Sequence, residues 1–294
     1  MNVAILGADQ GWHTQQLQRA LAERGHRCLV LSVSRLVARI EGQPRLSSQG
    51  SDLDSFDLVL VRLLPRGSLE QIIFRMDVLH LLERRAVPVV NPARAIERTV
   101  DKLYTSGLLE QAGLATPRTV VCERSADALE AFAELGGDVV VKPIFGSMGR
   151  GMVRIEHEEV AYRVFKALEL ERAVYYLQET IRHSGSDIRG FVLGGRVIAA
   201  MKRLGDGWRT NVARGARVQP LRLTDEQENL CLAAARTVEA TYAGIDLLPA
   251  ADGRLYVLEV NSIPGWKGLQ SVSPLDIAGE IVTYLEVAAG QARR

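Results

Sequence analysis

The apolar run LYVLEVN, residues 255–261, has the pattern of a buried strand, yet it carries a carboxylate at Glu259 and an amide at Asn261. Side chains alternate between the two faces of a strand, so Val257, Glu259 and Asn261 are predicted to share one face. A buried carboxylate without a partner is too unfavourable to persist. The fold of this chain must therefore place a neutralising group beside Glu259.

The sequence before this strand suggests what lies opposite it. The Asp-Gly pair that follows Ala251 predicts a two-residue hairpin turn in which Ala251 pairs with Arg254. In that register Asp246 lies directly opposite Glu259, and like charges facing each other across a ladder are unfavourable. Together with Asn261, the two carboxylates would form an oxygen-rich site suited to Mg²⁺ or Mn²⁺.

The hairpin also admits a second interpretation. Asp246 could be a turn acid and Glu259 could pair with an arginine, and the hairpin by itself does not decide between the two. Pro249 lies within the first strand, where it removes a ladder hydrogen bond and indicates an edge or a bulge.

The first ninety or so residues alternate strand and helix signals, from the strand VAILG through a helix that ends at Gly25 to the strand VPVVNP. This alternation predicts a small doubly wound parallel sheet. A polar stretch, 41–54, interrupts it. Gly7 and Gly11 do not complete the glycine fingerprint of a dinucleotide-binding turn, so we expect a docking or substrate-binding role for this domain.

The rest of the chain predicts two further α+β units. The predicted domains are 1–96, 97–182 and 183–294, with one helical stretch across AIERTVDKLYTSGLLEQAG. A hairpin is predicted about Gly194-Gly195, and a helix from Asp225 to Tyr242.

Composition excludes several classes of protein. The formal net charge of +1 gives no support for nucleic acid as the main partner. Three cysteines without a Cys-x-x-Cys pair, and five histidines without a His-x-x-x-His pair, argue against disulfides and transition-metal sites. No apolar run approaches the length of a membrane helix, so a soluble cytoplasmic protein is expected, either a monomer or a homo-oligomer.

A glycine-rich segment, VVVKPIFGSMGRGMVRI, supplies a reason for a magnesium site. Lys142 ends an apolar strand, and Gly146, Gly149 and Gly151 follow it. The lysine precedes the glycines and a strand follows them, so this is not a P-loop, but glycines still let backbone N–H groups approach phosphate oxygens closely. Ser147 misses the nucleophile-elbow pattern by one glycine and is not expected to be a nucleophile.

These features, in this order, resemble the ATP-grasp superfamily and, within it, the RimK-like branch of α-L-glutamate ligases. The resemblance covers nearly the whole chain and rests on DKLYTSGLLEQAGLATPRT, VVVKPIFGSMGRG, LQETI, GSDIRGFVLGGRVIAAMKR, GWRTNVARG and LEVNSIPGWKGL. It implies an α/β (α+β) ATP-grasp fold in which the two later units enclose a nucleotide. It also implies ATP as cofactor with Mg²⁺ or Mn²⁺, two ions in number.

The resemblance assigns roles by motif. The residues that it implies for nucleotide binding are Lys102, Lys142, Gly146, Ser147, Gly149, Gly151, Glu179, Thr180, Asp187, Arg203, Arg209, Thr210 and Asn211. The metal ligands that it implies are Asp246, Glu259 and Asn261. Taken singly, most of these residues could be ordinary surface side chains; together they supply cations and metal ligands for a triphosphate.

The implied chemistry is carboxylate–amine ligation. ATP phosphorylates an acceptor carboxylate, and the amine of an amino acid, L-glutamate by resemblance, displaces phosphate from the acyl phosphate with ADP as co-product. Lys142 and Arg203 would neutralise the transferring phosphoryl group. Arg209 and Asn211, with Arg203, are the catalytic candidates for holding the tetrahedral intermediate or a substrate carboxylate, since an arginine fork matches a carboxylate.

The acceptor is predicted from a cluster of arginines. Arg62, Arg66 and Arg75 surround a strand-to-helix turn of the first domain, where a doubly wound sheet binds ligands, and Arg189 is a further candidate. An acidic acceptor suits these cations, although each could be a solvated surface residue. Within the branch the chain most resembles the tetrahydromethanopterin-type ligases, with ligases of ribosomal-protein tails and of amino-group carrier proteins as alternatives.

Two other classes of function remain open from the sequence. A dinucleotide-dependent oxidoreductase would use the first domain, but that domain lacks the glycine fingerprint. The resemblance also implies that LQETI, with Glu179 and Thr180 at its centre, is an interdomain hinge whose backbone reads the adenine. A nucleotide-binding regulator without turnover would keep the glycine-rich loop and this hinge but would not need three metal ligands.

Overall fold

The amino-terminal sheet is parallel throughout, as its strand–helix alternation predicts. The computed structural model describes residues 1–146, 151–205, 207–208 and 216–292. Four parallel strands form the first sheet in the order β2-β1-β6-β7. They are β1 (Asn2–Leu6), β2 (Arg27–Leu31), β6 (Leu58–Val61) and β7 (Val89–Val90).

Helices cover both faces of this sheet. The helices that surround it are α1 (Trp12–Glu23), α2 (Leu69–Arg84) and α3 (Ala93–Val100). Val3 and Ile5 of β1 pack in one core cluster with α1, whereas Ala4 and Leu6 pack in another with α2 and α3. Alternate side chains of β1 thus pack into two separate cores on opposite faces of the sheet, and the predicted doubly wound arrangement is confirmed.

The polar stretch between β2 and β6 is not a plain loop. It contains a small antiparallel sheet of three strands, β3 (Leu36–Ala38), β4 (Leu46–Ser48) and β5 (Ser51–Asp52). Leu46 and Leu53 are buried in the core beside α2, which anchors this sheet to the domain. Two apolar side chains are too few to show as a strand pattern in the sequence.

The single helical stretch predicted across residues 95–113 is wrong. The chain forms α3 and then α4 (Lys102–Gln111), separated at Asp101, which has an extended backbone. The Asp101 carboxylate accepts a hydrogen bond from the amide of Tyr104 at 3.1 Å. Asp101 therefore caps a new helix, and Lys102 becomes its first residue.

An antiparallel sheet in the order β10-β9-β11-β8 forms the middle unit. Its strands are β8 (Thr119–Cys122), β9 (Val139–Lys142), β10 (Val153–Ile155) and β11 (Tyr175–Glu179). Two helices, α5 (Ser125–Glu134) and α6 (Glu158–Leu170), pack on one face in a core that includes Phe132, Phe165 and Tyr175. The other face carries Lys142 and Gln178.

The carboxyl-terminal unit is a five-stranded antiparallel sheet in the order β14-β13-β12-β15-β16. Its strands are β12 (Ser186–Leu193), β13 (Arg196–Leu204), β14 (Arg217–Pro220), β15 (Tyr242–Pro249) and β16 (Leu255–Asn261). The predicted Gly194-Gly195 turn is confirmed, with φ of 56° and 79°. Both values lie in the left-handed region that glycine tolerates.

One helix, α7 (Asp225–Thr237), covers a face of this sheet and is shorter than predicted. The sequence pattern extended it to Tyr242, but Tyr242 begins β15 and is fully buried in the opposite core. The apolar spacing of the helix therefore continued by chance into the strand.

The closing hairpin places Asp246 opposite Glu259, as predicted, but the turn that joins the two strands is longer than predicted and a bulge compensates for it. Arg254 pairs with Ala250 rather than with the next residue, since the Ala250 amide donates to the Arg254 carbonyl at 2.9 Å. The predicted two-residue turn is therefore wrong by one residue. An extra residue in β16, Leu258, forms a bulge that restores the register at Asp246.

The same bulge changes which side chains share a face. Val257 and Val260 both lie in the core against α7, whereas Leu258 and Glu259 both line a cavity on the opposite face. The prediction that Val257 and Glu259 share a face is wrong, because strict alternation fails at a bulge.

The chain ends in two helices, α8 (Lys267–Gln270) and α9 (Ile277–Ala292), which the sequence analysis did not predict. Helix α9 packs against α1, so that Leu285 and Leu17 belong to one core cluster. The chain thus returns from the third predicted domain to the first. Among the described residues, no helix is long and apolar enough to cross a membrane.

Candidate functional site

A cavity opens between the middle sheet and the carboxyl-terminal sheet, beside α4. Most of the nucleotide and metal residues predicted from the sequence line this one cavity, although they come from distant parts of the chain. Those that line it are Lys102, Lys142, Gly146, Glu179, Thr180, Asp187, Arg203, Asp246 and Glu259.

Two arginines and two aspartates form a buried network on the carboxyl-terminal sheet. Arg203 donates from Nε and Nη2 to the two carboxylate oxygens of Asp187 at 2.6 and 2.7 Å. Arg203 Nη2 also lies 3.0 Å from Oδ2 of Asp246, and Arg189 Nη1 donates to Oδ1 of Asp246 at 2.6 Å. We call these four residues the arginine–aspartate network.

The network explains how Asp246 remains charged within the sheet. Burial disfavours its charge, but Arg189 and Arg203 outweigh that effect and hold the pKa of Asp246 below its ordinary value. Burial likewise disfavours the charged form of Arg203, but Asp246 and Asp187 raise its pKa. An arginine therefore neutralises a hairpin carboxylate, but that carboxylate is Asp246, which lies within β15. The alternative with Asp246 as a turn acid and Glu259 paired to an arginine is not found among the described residues.

Lys142, at the end of β9, faces this network from the middle sheet. Its ammonium donates to Oε1 of Gln178 at 2.5 Å. Burial lowers its pKa to about 8 and the Lys102 charge adds to that effect, while Glu259 opposes it. Gln178 in turn donates to Thr119 Oγ1 at 3.0 Å, which fixes its amide with the oxygen toward Lys142.

Gln178 was not predicted as a site residue. The signal was present, because Tyr176, Gln178 and Thr180 alternate along YYLQET and all three line the cavity. Tyr176 is also tied to α4, since its hydroxyl lies 2.9 Å from Ser106 Oγ.

Lys102 approaches the cavity from the first turn of α4. Its ammonium donates to the carbonyl oxygens of Ile144 and Gly146 at 3.2 and 2.8 Å, at the start of the glycine-rich segment. Burial lowers its pKa, while Glu259 and Asp101 act in the opposite direction. Within the described residues, neither Lys102 nor Lys142 forms an ion pair with a carboxylate, and we call these two residues the lysine pair.

The predicted hinge residues lie where β11 ends. The Glu179 amide donates to the Arg118 carbonyl at 2.9 Å, and its carboxylate accepts from the Arg118 amide at 2.8 Å. The Thr180 amide donates to the Asp138 carbonyl at 3.0 Å. The hinge is therefore fixed on both sides by neighbouring segments of the middle unit.

The remaining metal candidates fit a hard divalent cation in their chemistry. Glu259 and Asn261 lie two residues apart beyond the bulge, with Val260 between them in the core. Asn261 Oδ1 accepts a hydrogen bond from the Ile263 amide at 2.9 Å, which leaves that oxygen a second lone pair. With Asp246 the set supplies only oxygen ligands, which Mg²⁺ and Mn²⁺ prefer.

Protein carboxylates alone do not complete such a site. Across the described ranges, no three His, Cys, Asp or Glu side chains are grouped so that they could hold a metal ion. A bound ion here would need the Asn261 amide or oxygens from a substrate as additional ligands. The assignment of these three ligands stays a prediction.

The four arginines predicted for the acceptor have different environments. Arg75 is buried in α2 and donates to the Pro65 carbonyl at 2.6 Å, and so supports the loop that precedes the helix. Arg66, on that loop, is exposed, and its Nη2 lies 4.0 Å from the position of a Cβ on Gly146. Arg66 therefore reaches from the first domain to the glycine-rich segment.

Arg62 is buried between the first domain and the carboxyl-terminal sheet. It donates to the Tyr242 hydroxyl, and its guanidinium carbon lies 4.7 Å from the ring centroid of Trp266. Burial lowers its pKa. His13 also contacts Trp266 by accepting a hydrogen bond from its amide at 3.0 Å, and burial together with Arg62 lowers the pKa of His13 to about 4. A role for Arg62 in acceptor binding stays a prediction.

Several predicted residues cannot be placed. Gly151 is described and lies beside Pro143, where a Cβ would be 3.5 Å from the ring. The predicted residues that lie outside the described residues are Ser147, Gly149, Arg209, Thr210 and Asn211.

Asn91 is a buried residue that the sequence analysis treated only as a boundary. Its amide nitrogen donates to the carbonyls of Tyr242 and Ser262, and its oxygen accepts from the amides of Thr241 and Tyr242 at 2.9 and 3.0 Å. One side chain of the first domain thus joins the start of β15 to the residue that follows the end of β16. The Asn-Pro pair gave no sign of this function, because it is equally typical of a loop.

Comparison with known proteins agrees with this architecture. Residues 1–96 match the model of the RimK PreATP-grasp domain, and residues 99–285 match that of the RimK-like ATP-grasp domain. The chain is 33% identical over 288 residues to a tetrahydromethanopterin:α-L-glutamate ligase of Methanococcus maripaludis, covering 96% of this chain and 97% of the relative. It is 34% identical over 300 residues to a probable α-L-glutamate ligase of Photobacterium profundum, covering 100% and 98%.

Solved structures show the same fold. The ATP-grasp ligase PsnB, in complex with a minimal precursor, Mg and ADP, superposes with a TM-score of 0.75 and covers 98% of this chain and 97% of its own. At 23% sequence identity, this likeness concerns the fold alone.

The chain belongs to the RimK-like ATP-grasp family. It is accordingly an ATP-dependent carboxylate–amine ligase that uses ATP with a magnesium-type divalent ion. The predicted fold class, family and enzyme class are thereby confirmed.

Proposed function

We propose that this ligase joins L-glutamate to a carboxylate of a tetrahydromethanopterin-type coenzyme through an acyl phosphate, and releases ADP and phosphate. The observation that carries the proposal is the similarity, over nearly the full length of both chains, to a relative named tetrahydromethanopterin:α-L-glutamate ligase. The proposed domains are 1–96, 97–182 and 183–294, with the nucleotide between the second and third.

The cavity supports phosphoryl transfer by its distribution of charge. Among the described residues the lysine pair donates only to neutral oxygens, so both ammonium groups can exchange those partners for phosphate oxygens. Lys142 has a pKa of about 8 and is therefore mostly charged at neutral pH. A divalent ion held by Asp246, Glu259 and Asn261 would neutralise further charge on the phosphates.

Arg203 is placed to act at the transferring group. It lines the cavity, and its two bonds to Asp187 fix the plane of the guanidinium. A group that is fixed in advance does not have to reorganise as charge develops on the reacting oxygens. In the proposed reaction Arg209 and Asn211 contribute with Arg203 to holding the tetrahedral intermediate.

The acceptor would approach from the first domain. Arg66 is exposed and lies beside Gly146, so an acidic acceptor bound there would be next to the glycine-rich segment. Arg75 supports this loop from α2 through the Pro65 carbonyl. Arg62 lies deeper, against Tyr242 and Trp266, and would fix the end of β6 from which the loop starts.

A second candidate acceptor is the carboxyl terminus of a peptide or protein. A fold neighbour was solved in complex with a minimal precursor, which favours testing a peptide beside the coenzyme. The chemistry at the cavity would be the same, because both acceptors present a carboxylate.

Release of ADP tests the reaction and the acceptor together. The purified enzyme is incubated with MgATP, L-glutamate and either a tetrahydromethanopterin-type coenzyme or an acidic carboxyl-terminal peptide. We expect ADP to form only with glutamate and the coenzyme present, and not with Lys142→Met enzyme. ADP formation with glutamate and the peptide, but not with glutamate and the coenzyme, would indicate that the acceptor is a peptide. A lack of ADP with either acceptor would contradict the proposal.

The acyl phosphate is tested by isotope transfer. The acceptor is labelled with heavy oxygen at its carboxylate, and the released phosphate is examined by mass spectrometry. We expect one labelled oxygen in the phosphate, because that oxygen bridges carbon and phosphorus before the amine attacks. Unlabelled phosphate, or AMP in place of ADP, would exclude the acyl-phosphate route.

A further inference from the structure

Arg189 occupies a position that the proposed reaction does not use. It is buried, it is absent from the residues that line the cavity, and it donates from Nη1 to Oδ1 of Asp246 at 2.6 Å. Its neighbour in the network, Arg203, already engages the other oxygen of Asp246 and both oxygens of Asp187. Asp246 thus shares Arg203 with Asp187 and has Arg189 as a guanidinium partner of its own.

The strand opposite Arg189 is shaped to hold this guanidinium. A Cβ at Gly244 would lie within 2.5 Å of Cζ and Nε of Arg189, closer than any real contact. Gly244 has no unusual backbone angle that requires glycine. A residue without a side chain is needed there because the Arg189 guanidinium lies directly over it.

Gly244 also connects Arg189 to the metal candidates. Gly244 pairs with Asn261 and Asp246 pairs with Glu259 across the same two strands. The guanidinium of Arg189 therefore lies over Gly244, whose strand partner is the predicted ligand Asn261, and it contacts the predicted ligand Asp246 directly. A divalent ion at these ligands would stand next to a fixed positive charge.

We infer that Arg189 is a positioning residue that competes with the divalent ion for Asp246, so that the ion binds appreciably only together with nucleotide phosphates. This inference rests on the proposed metal site. Two arginines neutralise Asp246, so the protein oxygens alone attract a cation weakly, and the added negative charge of the phosphates restores the attraction. Arg189 thereby couples metal binding to nucleotide binding through one carboxylate.

The test measures Mn²⁺ affinity without nucleotide, by electron paramagnetic resonance of the free ion. Arg189→Gln removes the competing charge, and we expect it to bind Mn²⁺ at least about tenfold more tightly than the wild type. Arg189→Lys keeps the charge and should stay close to the wild type. An unchanged affinity in Arg189→Gln would overturn the inference.

A matched control separates this effect from loss of a buried arginine. Arg98 is also buried and forms an ion pair, with Glu239 at 2.9 Å, away from the cavity. Arg98→Gln should lower the melting temperature without changing Mn²⁺ affinity. Tighter Mn²⁺ binding in Arg98→Gln as well would show that any loosening of the fold admits the ion, and would also overturn the inference.

Gly244→Ala keeps the inference testable if Arg189→Gln does not fold. The added methyl group must displace the Arg189 guanidinium, so we expect tighter Mn²⁺ binding in this variant too. Its loss of thermal stability should be smaller in the Arg189→Gln background than in the wild type, because the clash is then absent. Unchanged Mn²⁺ affinity in Gly244→Ala would count against the inference.

The wild type in the presence of nucleotide distinguishes two kinds of failure. Isothermal titration of the Mn²⁺ complex of a non-hydrolysable ATP analogue should show binding to the wild type and a weaker interaction with Glu259→Gln. If the wild type fails to bind this complex, the proposed metal site itself is wrong. If it binds while Arg189→Gln leaves the affinity for Mn²⁺ alone unchanged, only the role of Arg189 is wrong.

Discussion

The two walls of the cavity differ in how their charged side chains are paired. On the carboxyl-terminal sheet, each side chain of the arginine–aspartate network is bonded to an opposite charge at 2.6–3.0 Å. On the other wall the lysine pair, within the part of the chain that the structure describes, donates only to carbonyl and amide oxygens, and burial lowers the pKa of both lysines. The arginine–aspartate network is neutralised within the protein, whereas the lysine pair has positive charge that a phosphate can satisfy.

This difference separates stability from function. Breaking a buried ion pair leaves an uncompensated charge and is strongly destabilising. Removing a buried cation that has no acidic partner removes an unfavourable burial and leaves stability nearly unchanged. Substitutions in the arginine–aspartate network should therefore affect folding and turnover, and substitutions in the lysine pair should affect turnover alone.

The largest effect is expected from Arg203→Met, which removes the guanidinium that binds both carboxylate oxygens of Asp187 and one of Asp246. The free energy of unfolding should fall by about 3–5 kcal/mol, and turnover should be lost. Chemical denaturation followed by circular dichroism measures the change. Arg254→Met, which breaks an exposed pair with Asp252, is the control and should leave the midpoint unchanged. An Arg203→Met protein as stable as the wild type would contradict the proposed contribution of the arginine–aspartate network to stability.

Asp246→Asn and Glu259→Gln should differ, although both are predicted metal ligands. Asp246→Asn removes the charge that two buried arginines share, and it should lower the free energy of unfolding by about 1.5–3 kcal/mol. Glu259→Gln should change it by less than about 1 kcal/mol, since this carboxylate has no ion pair among the described residues. Both should abolish turnover. Thermal melting with and without MgATP separates the two effects, and equal stabilisation of wild type and both variants would remove these residues from the metal site.

Lys142→Met should lower kcat by about 10²–10³ and leave the free energy of unfolding within about 1 kcal/mol of the wild type. Methionine matches the length of the lysine stem, so the packing of β9 is retained. Steady-state kinetics measures kcat, and chemical denaturation measures the free energy of unfolding. If Lys142→Met were as destabilised as Arg203→Met, the two walls of the cavity would not differ in the way proposed.

The parallel sheet of the first domain was predicted from local pattern, whereas most of the cavity residues were predicted from the resemblance to the ATP-grasp superfamily. Parallel strands in the first domain follow from strand–helix alternation, and Lys142 and Asp246 follow from motifs placed on strands. It did not predict the helix break at Asp101, which depends on one capping side chain, or the packing of α9 on α1, which is a contact between chain ends. Boundaries fixed by one residue and contacts between distant segments leave little periodic signal.

The opposed carboxylates show how a prediction can hold while one of its premises fails. Asp246 does lie opposite Glu259, yet the turn has a different length and the bulge at Leu258 compensates for it. A bulge depends on how the strand packs against α7 and the cavity, which the strand sequence does not encode alone. The partners of Asp246 were equally hidden, since Arg189 and Arg203 come from two other strands.

The smallest expected effect is a proton taken up with the nucleotide. The pKa of Lys142 is about 8 rather than 10.5, chiefly because of burial, so at pH 8.5 a large part of this lysine is neutral. A bound phosphate favours the ammonium form, raises its pKa and draws a proton from the buffer. Isothermal titration of MgADP in two buffers of different ionisation enthalpy measures the number of protons taken up per nucleotide bound, which should lie between zero and one.

The sign of this linkage distinguishes Lys142 from the arginines. The pKa of Lys142 in the folded protein lies below its value in the unfolded chain, so the folded protein binds fewer protons between pH 8 and 10.5. The contribution of Lys142 to the free energy of unfolding is therefore present above the unfolded pKa and is lost as the pH falls through about 8. Proton uptake on nucleotide binding should therefore disappear at pH 6.5, where the lysine is already charged, and in Lys142→Met at pH 8.5. Arginines remain charged throughout this range and contribute none. Uptake that persists in Lys142→Met would assign the titrating group to Lys102, whose pKa burial also lowers, and would move the functional charge to the other member of the lysine pair.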